Sequence, residues 1–263
     1  MNYTNQNQNP FYSSGNPNEQ LTFDQMENNE NIYSSKEEEI KTEININIRL
    51  GFIRKVYGIL TVQLFITALY TLIVMCSNSL QSFMITHTGI LFFMFIILII
   101  IPIVIICCRG IMRQVPQNYI ILLIFTLAES YCIGFICSFY NPKIVFMAAF
   151  MTFVMVLSLT LYAINTNTDI TMSGGILFIL SSTAFLFFFF LIFTQNKIIY
   201  IIITLICVII FSFYILYDTQ LIIGNRTYMI EVDDYILGAF MIYTDIISLF
   251  LYLLDLLNLF SDS

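Results

Sequence analysis

Seven predominantly apolar windows, at 56–76, 88–108, 119–139, 144–164, 175–193, 198–222 and 235–257, constrain this chain more than any other feature. A hydrocarbon core about 30 Å thick takes a helix of about 20 residues to cross, and each window has that length. Inside lipid every backbone amide and carbonyl must be satisfied within its own segment or in a closed barrel. The windows are continuous rather than alternating, so helices are predicted and a barrel is not. The Phe-rich run at 185–190 would read as a strand in water and is read here as helix. Charged residues are only 10% of the chain and apolar ones 59%, against roughly 25% charged in a soluble domain. The predicted fold is an all-α membrane protein, a seven-transmembrane-helix bundle with a disordered N-terminal tail.

That tail, 1–48, is a different material. It is rich in Asn, has no apolar window and ends near the acidic run Glu37, Glu38, Glu39, a composition that cannot bury enough surface to fold. Eight of the seventeen acidic residues precede Arg49 against only Lys36 and Lys41, so the tail holds −6 of the net −7. The acidic balance therefore describes the tail and not the membrane domain, 49–263. No basic start leads into a short apolar core at the N-terminus, so no cleavable signal peptide is predicted and the first window serves as insertion signal.

Orientation follows from the basic residues. A cytoplasmic N-terminus puts Lys36, Lys41, Arg49, Arg54, Lys55, Arg109, Arg113 and Arg226 on that side and only Lys143 and Lys197 on the other, as the positive-inside rule asks. The loop at 165–171 has no basic residue to hold it there.

Two carboxylates interrupt the last two windows. Asp218 lies near the cytoplasmic end of the sixth, and Asp245 lies ten residues into the seventh, about 15 Å deep at 1.5 Å per residue. Charge in a bilayer costs about 3 kcal/mol on insertion scales and 10 or more in simulations, so such a residue is a functional candidate by default. Glu129, ten residues into the third window, reaches a matching depth and is a candidate pore-lining residue. Arg109 and Arg113 end the second window on the same side, which could bring acids from three helices and a base from a fourth to one interior. The competing reading makes the aspartates structural locks and the arginines plain topology determinants. Asp233 and Asp234 read as a helix cap and dipole partner, and Asp255 as a residue that reaches the interface.

Other chemistries lack their residues. The cysteines at 76, 107, 108, 132, 137 and 207 lie in or beside apolar windows without zinc spacing, His87 stands alone, and Pro102 is expected to kink its helix. There is no phosphate-binding glycine loop, no HExxH and no basic nucleic-acid patch.

The runs FIRKVYGILTVQL (52–64), CCRGIMRQVPQNY (107–119), YDTQLIIGNR (217–226) and DDYILGAFMIYTDIISLFLYLL (233–254) resemble the transmembrane Bax inhibitor motif family, in its lifeguard branch. The resemblance covers the chain after about Arg49. It implies an intracellular, multi-pass protein of the endoplasmic reticulum or Golgi, associated with calcium leak from stores and restraint of cell death. It also implies that Asp218 and Asp245 form a pH-sensor dyad and that a basic latch falls on Arg113, with Arg109 one turn earlier as the other choice. The implied partners are the lipid bilayer, calcium ions, and death-regulator or calcium-channel proteins; no cofactor is implied, calcium being the permeant ion. The tail departs from the family pattern, which favours proline and glycine over asparagine.

The residues support the same reading on their own terms. Two adjacent carboxylates cannot both ionise cheaply, so the pair titrates as a unit, and one pKa unit of difference between two states biases a gate by about 1.4 kcal/mol. Ionised, the same oxygens are the hard ligands calcium prefers. No enzyme activity is predicted. Two alternatives stay open: a non-conducting scaffold that modulates partner channels, and an intramembrane aspartyl protease, for which Tyr217-Asp218 supplies a first half-motif while the GxGD of the second is missing.

Overall fold

The computed structural model describes residues 17–194, 197–224 and 226–261, and among these it is helical with no strand. The chain forms two units, Met1–Ile48 and Arg49–Ser263. In the first, the Asn-rich start at 1–16 lies outside the described residues. Helix α1 spans Pro17–Cys76, and its residues 33–48 are all solvent-exposed. Ile40, Ile44 and Ile48 recur four apart on one helix face and stay exposed.

The second unit holds the rest of α1 and then α2 (Asn78–Thr86), α3 (Thr88–Cys107), α4 (Arg109–Met112), α5 (Gln117–Cys137), α6 (Pro142–Asn165), α7 (Gly174–Thr194), α8 (Lys197–Ile223) and α9 (Tyr235–Ser261). Each apolar window of the sequence becomes one helix. α1, α3, α5, α6, α8 and α9 are long and apolar enough to cross a membrane, and α7 is the shorter apolar helix beside them. The stretch between the first two windows adds α2, whose start is capped by the Ser77 hydroxyl accepting from the Leu80 amide at 3.3 Å. His87 joins α2 to α3 with its ring stacked on Phe83.

α9 is the axis of the bundle. Two thirds of its apolar stretch is buried (67%), against 11% for α3, which faces outward. α9 packs on α8, α6 and α5, while α8 also meets α6 and α7, and α3 covers α5. Phe52, Val56 and Leu60 of α1 join the same core as Ile222, Ile236 and Leu249. Lipid is as apolar as leucine, so helix association here rests on close approach rather than on hydrophobic burial. Gly134 allows it between α5 and α1, since a Cβ there would lie 3.0 Å from Tyr70 Cε1.

Side chains close the end of the bundle where α8 stops. Gly224 takes φ +74°, and a Cβ on it would meet Arg49 Nε at 2.7 Å, so a side chain there would be strained and would displace the guanidinium. The Arg49 guanidinium donates to the carbonyls of Ile223 (3.1 Å), Leu221 (2.6 Å) and Ile230 (2.5 Å). A cation thus satisfies the last carbonyls of α8, where the helix dipole favours it. The loop at 166–170 is pinned as well. Asp169 accepts from the amide and hydroxyl of Thr171 and from those of Thr227, and these bonds, Thr171 first, hold its carboxyl well below the usual carboxylate range. Arg226 donates to the carbonyls of Thr166 and Asn167, so the loop without a basic residue borrows one.

Candidate functional site: a buried aspartate pair

α8 and α9 form the tightest helix pair of the bundle, and they bring Asp218 and Asp245 together with only 3% and 8% of their surface exposed. The two carboxyl groups lie within hydrogen-bonding reach of each other. Among the described residues, Oδ2 of Asp245 finds no other donor. An ionised carboxylate only accepts, so two carboxyl groups can bond only when a proton lies between them. Nearby, the hydroxyls of Thr219 on α8 and Tyr57 on α1 approach each other.

The arginines go elsewhere. Arg113 donates from Nε to Asp234 Oδ1 at 2.7 Å and from Nη2 to Asp234 Oδ2 at 2.9 Å and to Glu231 Oε2 at 2.5 Å. These acids, Asp234 first, push the guanidinium further above its ordinary value. Arg109 approaches the same Asp234 carboxylate at 4.0 Å. Arg113 thus fastens the segment between α3 and α5 to the entry of α9, and its charge partner is Asp234 rather than the Asp218–Asp245 pair. The reason is position along α9: Asp234 sits just before the first residue of the helix, level with the arginines, whereas Asp245 is about three turns deeper. Asp234, read from sequence as a cap, spends both carboxylate oxygens on Arg113.

Glu129 on α5 is partly buried near Tyr243 and Cys132. Among the described residues it makes no hydrogen bond or ion pair. Asp255 accepts from the hydroxyl of Tyr200 at 2.6 Å and from that of Thr204 at 3.4 Å, so it ties α9 to α8. Among the described residues no three His, Cys, Asp or Glu converge as a metal site.

Sequence reasoning missed the triple carbonyl bond of Arg49 and the role of Glu231. It also missed a buried polar line on α1, Gln63, Thr67 and Thr71, which faces Thr126 and Ser130 on α5. The signal was there as polar residues four apart inside apolar windows, which places them on one helix face.

Comparison with known proteins fits this architecture. Residues 49–262 match the family model Bax1-I, described as "Inhibitor of apoptosis-promoting Bax1". The chain is 33% identical to human Protein lifeguard 3 over 215 residues, covering 80% of this chain and 69% of that protein. The mouse protein of the same name is 32% identical over 80% of this chain and 70% of its own length. Protein LIFEGUARD 3 of Arabidopsis thaliana is 39% identical over 219 residues, 81% of this chain and 86% of that protein. With the family model spanning the whole helical bundle and relatives this similar over most of their length, the chain belongs to the Bax inhibitor family of multi-pass membrane proteins, in its lifeguard group.

Proposed function

We propose that the protein is a pH-sensitive calcium leak path of an intracellular membrane, the endoplasmic reticulum or Golgi, that lowers stored calcium and so restrains apoptotic cell death. The observation that carries this reading is the approach of the buried Asp218 and Asp245 carboxyls, to within hydrogen-bonding reach of each other, between α8 and α9. Protonated, the pair bridges α8 and α9 and offers calcium no net ligand charge. Deprotonated, two like charges in a low-dielectric interior repel, which favours separation of the helices, and four hard oxygens become available to a divalent cation. One proton equilibrium then sets both gate and ligand. The Arg113–Asp234 fork holds the entry of α9, and with it the depth of Asp245. With the N-terminus cytoplasmic, this closed end faces the cytosol.

The test uses calcium-loaded vesicles holding only the purified protein. Efflux above that of protein-free vesicles, changing with pH, is the expected result. Efflux no greater than in protein-free vesicles at any pH would leave the protein a modulator of partner channels, a role the same pair could serve as a switch. Paired aspartates are also what aspartyl hydrolysis needs, and cleavage of a helical peptide in the same vesicles would assign the pair to that chemistry instead.

A further inference from the structure

The buried polar line of α1 belongs to a seam that does not touch the aspartate pair. Gln63 Nε2 donates to Thr126 Oγ1 at 3.0 Å, and Thr67 Oγ1 meets Ser130 Oγ at 3.0 Å and the Tyr243 hydroxyl at 2.8 Å. Tyr243 and Asp245 are two residues apart on α9, about 200° around a helix of 3.6 residues per turn. Hence the seam runs between α1, α5 and α9, while the pair faces α8.

The same hydroxyls also lie within reach of backbone carbonyls. Thr67 reaches that of Gln63, Thr126 that of Leu122 and Ser130 that of Thr126. Each of these hydroxyls has one proton to place, on the backbone or on its side-chain neighbour, and either oxygen can be the donor in the Thr67–Ser130 and Thr67–Tyr243 contacts. Three buried atoms are left over: Gln63 Oε1, Thr71 Oγ1 and the Tyr131 hydroxyl have no partner, in residues 3%, 8% and 9% exposed. A polar network kept for stability closes on itself, because a partly satisfied one is worse than an apolar core. This seam stays open along about 12 Å of α1, from Gln63 to Thr71.

We propose that the α1–α5–α9 seam is the cation-selective stretch of the leak path, in which the neutral oxygens of Gln63, Thr67, Ser130 and Tyr243 replace the water shed by the ion. The inference rests on the calcium-leak reading and assigns its selectivity to residues outside the pair. Oxygen ligands suit a hard cation, and the carboxyl of Glu129, next to Ser130 in sequence and near Tyr243, adds an acidic group at the edge of the seam.

Two measurements on the intact chain in vesicles test it. Gln63→Leu and Tyr243→Phe should each lower calcium efflux about tenfold or more, the rate equivalent of one lost charge-assisted contact, while the pH midpoint set by the aspartates stays put. Unchanged efflux in both variants overturns the proposal. The second measurement is independent of calcium flux. In a chain with Cys76, Cys107 and Cys108 changed to Ala, Thr71→Cys should react with a cationic methanethiosulfonate about tenfold or more faster than with an anionic one of similar size, as a cation-selective path requires. Equal rates, or no reaction with either reagent, would also overturn it. Wild-type vesicles that leak no calcium would instead remove the leak reading, with the labelling contrast still reporting on the seam.

Discussion

Replacing Gly224 with Ala strikes the closed end of the bundle at its tightest point. At φ +74° an L-residue pays about 1–2 kcal/mol for the left-handed conformation. The new Cβ would lie 2.7 Å from Arg49 Nε and 2.9 Å from Cζ, so the guanidinium must move. It then gives up at least one of its bonds to Leu221, Ile223 and Ile230, each worth about 1.5–3 kcal/mol as a charge-assisted bond. The expected cost of Gly224→Ala is therefore about 2.5–5 kcal/mol. Arg49→Met removes the same bonds without touching the backbone. Once it is in place, adding Gly224→Ala should cost only the backbone share of about 1–2 kcal/mol, leaving a coupling of about 1.5–3 kcal/mol between the two sites. Reversible unfolding of the purified protein in detergent, followed by circular dichroism for the four proteins of the cycle, measures that coupling. Costs that add to within about 0.5 kcal/mol would show that Arg49 and Gly224 act independently, and the cap reading would be wrong.

The fork of Arg113 makes a second cycle: Arg113→Gln and Asp234→Asn should lower the melting temperature by similar amounts and the double variant no further, and Arg113→Lys, which cannot bond bidentately, should not restore it. Equal additive losses would break the pairing. The Asp169 staple should outlast ordinary acidification. Because its carboxyl is held below the usual range, its contribution is complete above about pH 4 and is lost only as pH falls through the depressed value, so amide exchange at Thr227 should stay slow at pH 4 and quicken in Asp169→Asn. Fast exchange at pH 4 in the wild type would contradict this. A tag at the N-terminus should be open to protease in sealed, cytoplasm-out microsomes and one after Ser263 protected; both tags on one side would remove the odd number of spans.

Length and hydropathy made the helices legible before any coordinates, because a bilayer leaves few other ways to satisfy a backbone. The convergence of Asp218 and Asp245 was legible for the same reason: an acid in lipid needs a partner, and only a few residues qualified. The partner of Arg113 was harder to read. Glu231 and Asp234 look like helix-start residues, and nothing in one sequence says that the segment between α3 and α5 docks against the entry of α9. Arg49 was read only as a topology charge, since its bonds go to backbone carbonyls of residues more than 170 positions away. Depth alone suggested Glu129 as a neighbour of the acids, and its place beside Tyr243 of α9 had no signature in the sequence.

The pH profile of calcium efflux from vesicles holding Asp218→Asn, Asp245→Asn or both, beside the wild type, tests the shared proton most directly. Either single change leaves one carboxyl with no like charge to compete with, so each should flatten the profile across the neutral range, and the double variant should be no flatter than the singles, as residues acting as a unit require. A double variant that keeps the wild-type profile would show that the pair is a structural lock and that the proton sensor lies elsewhere.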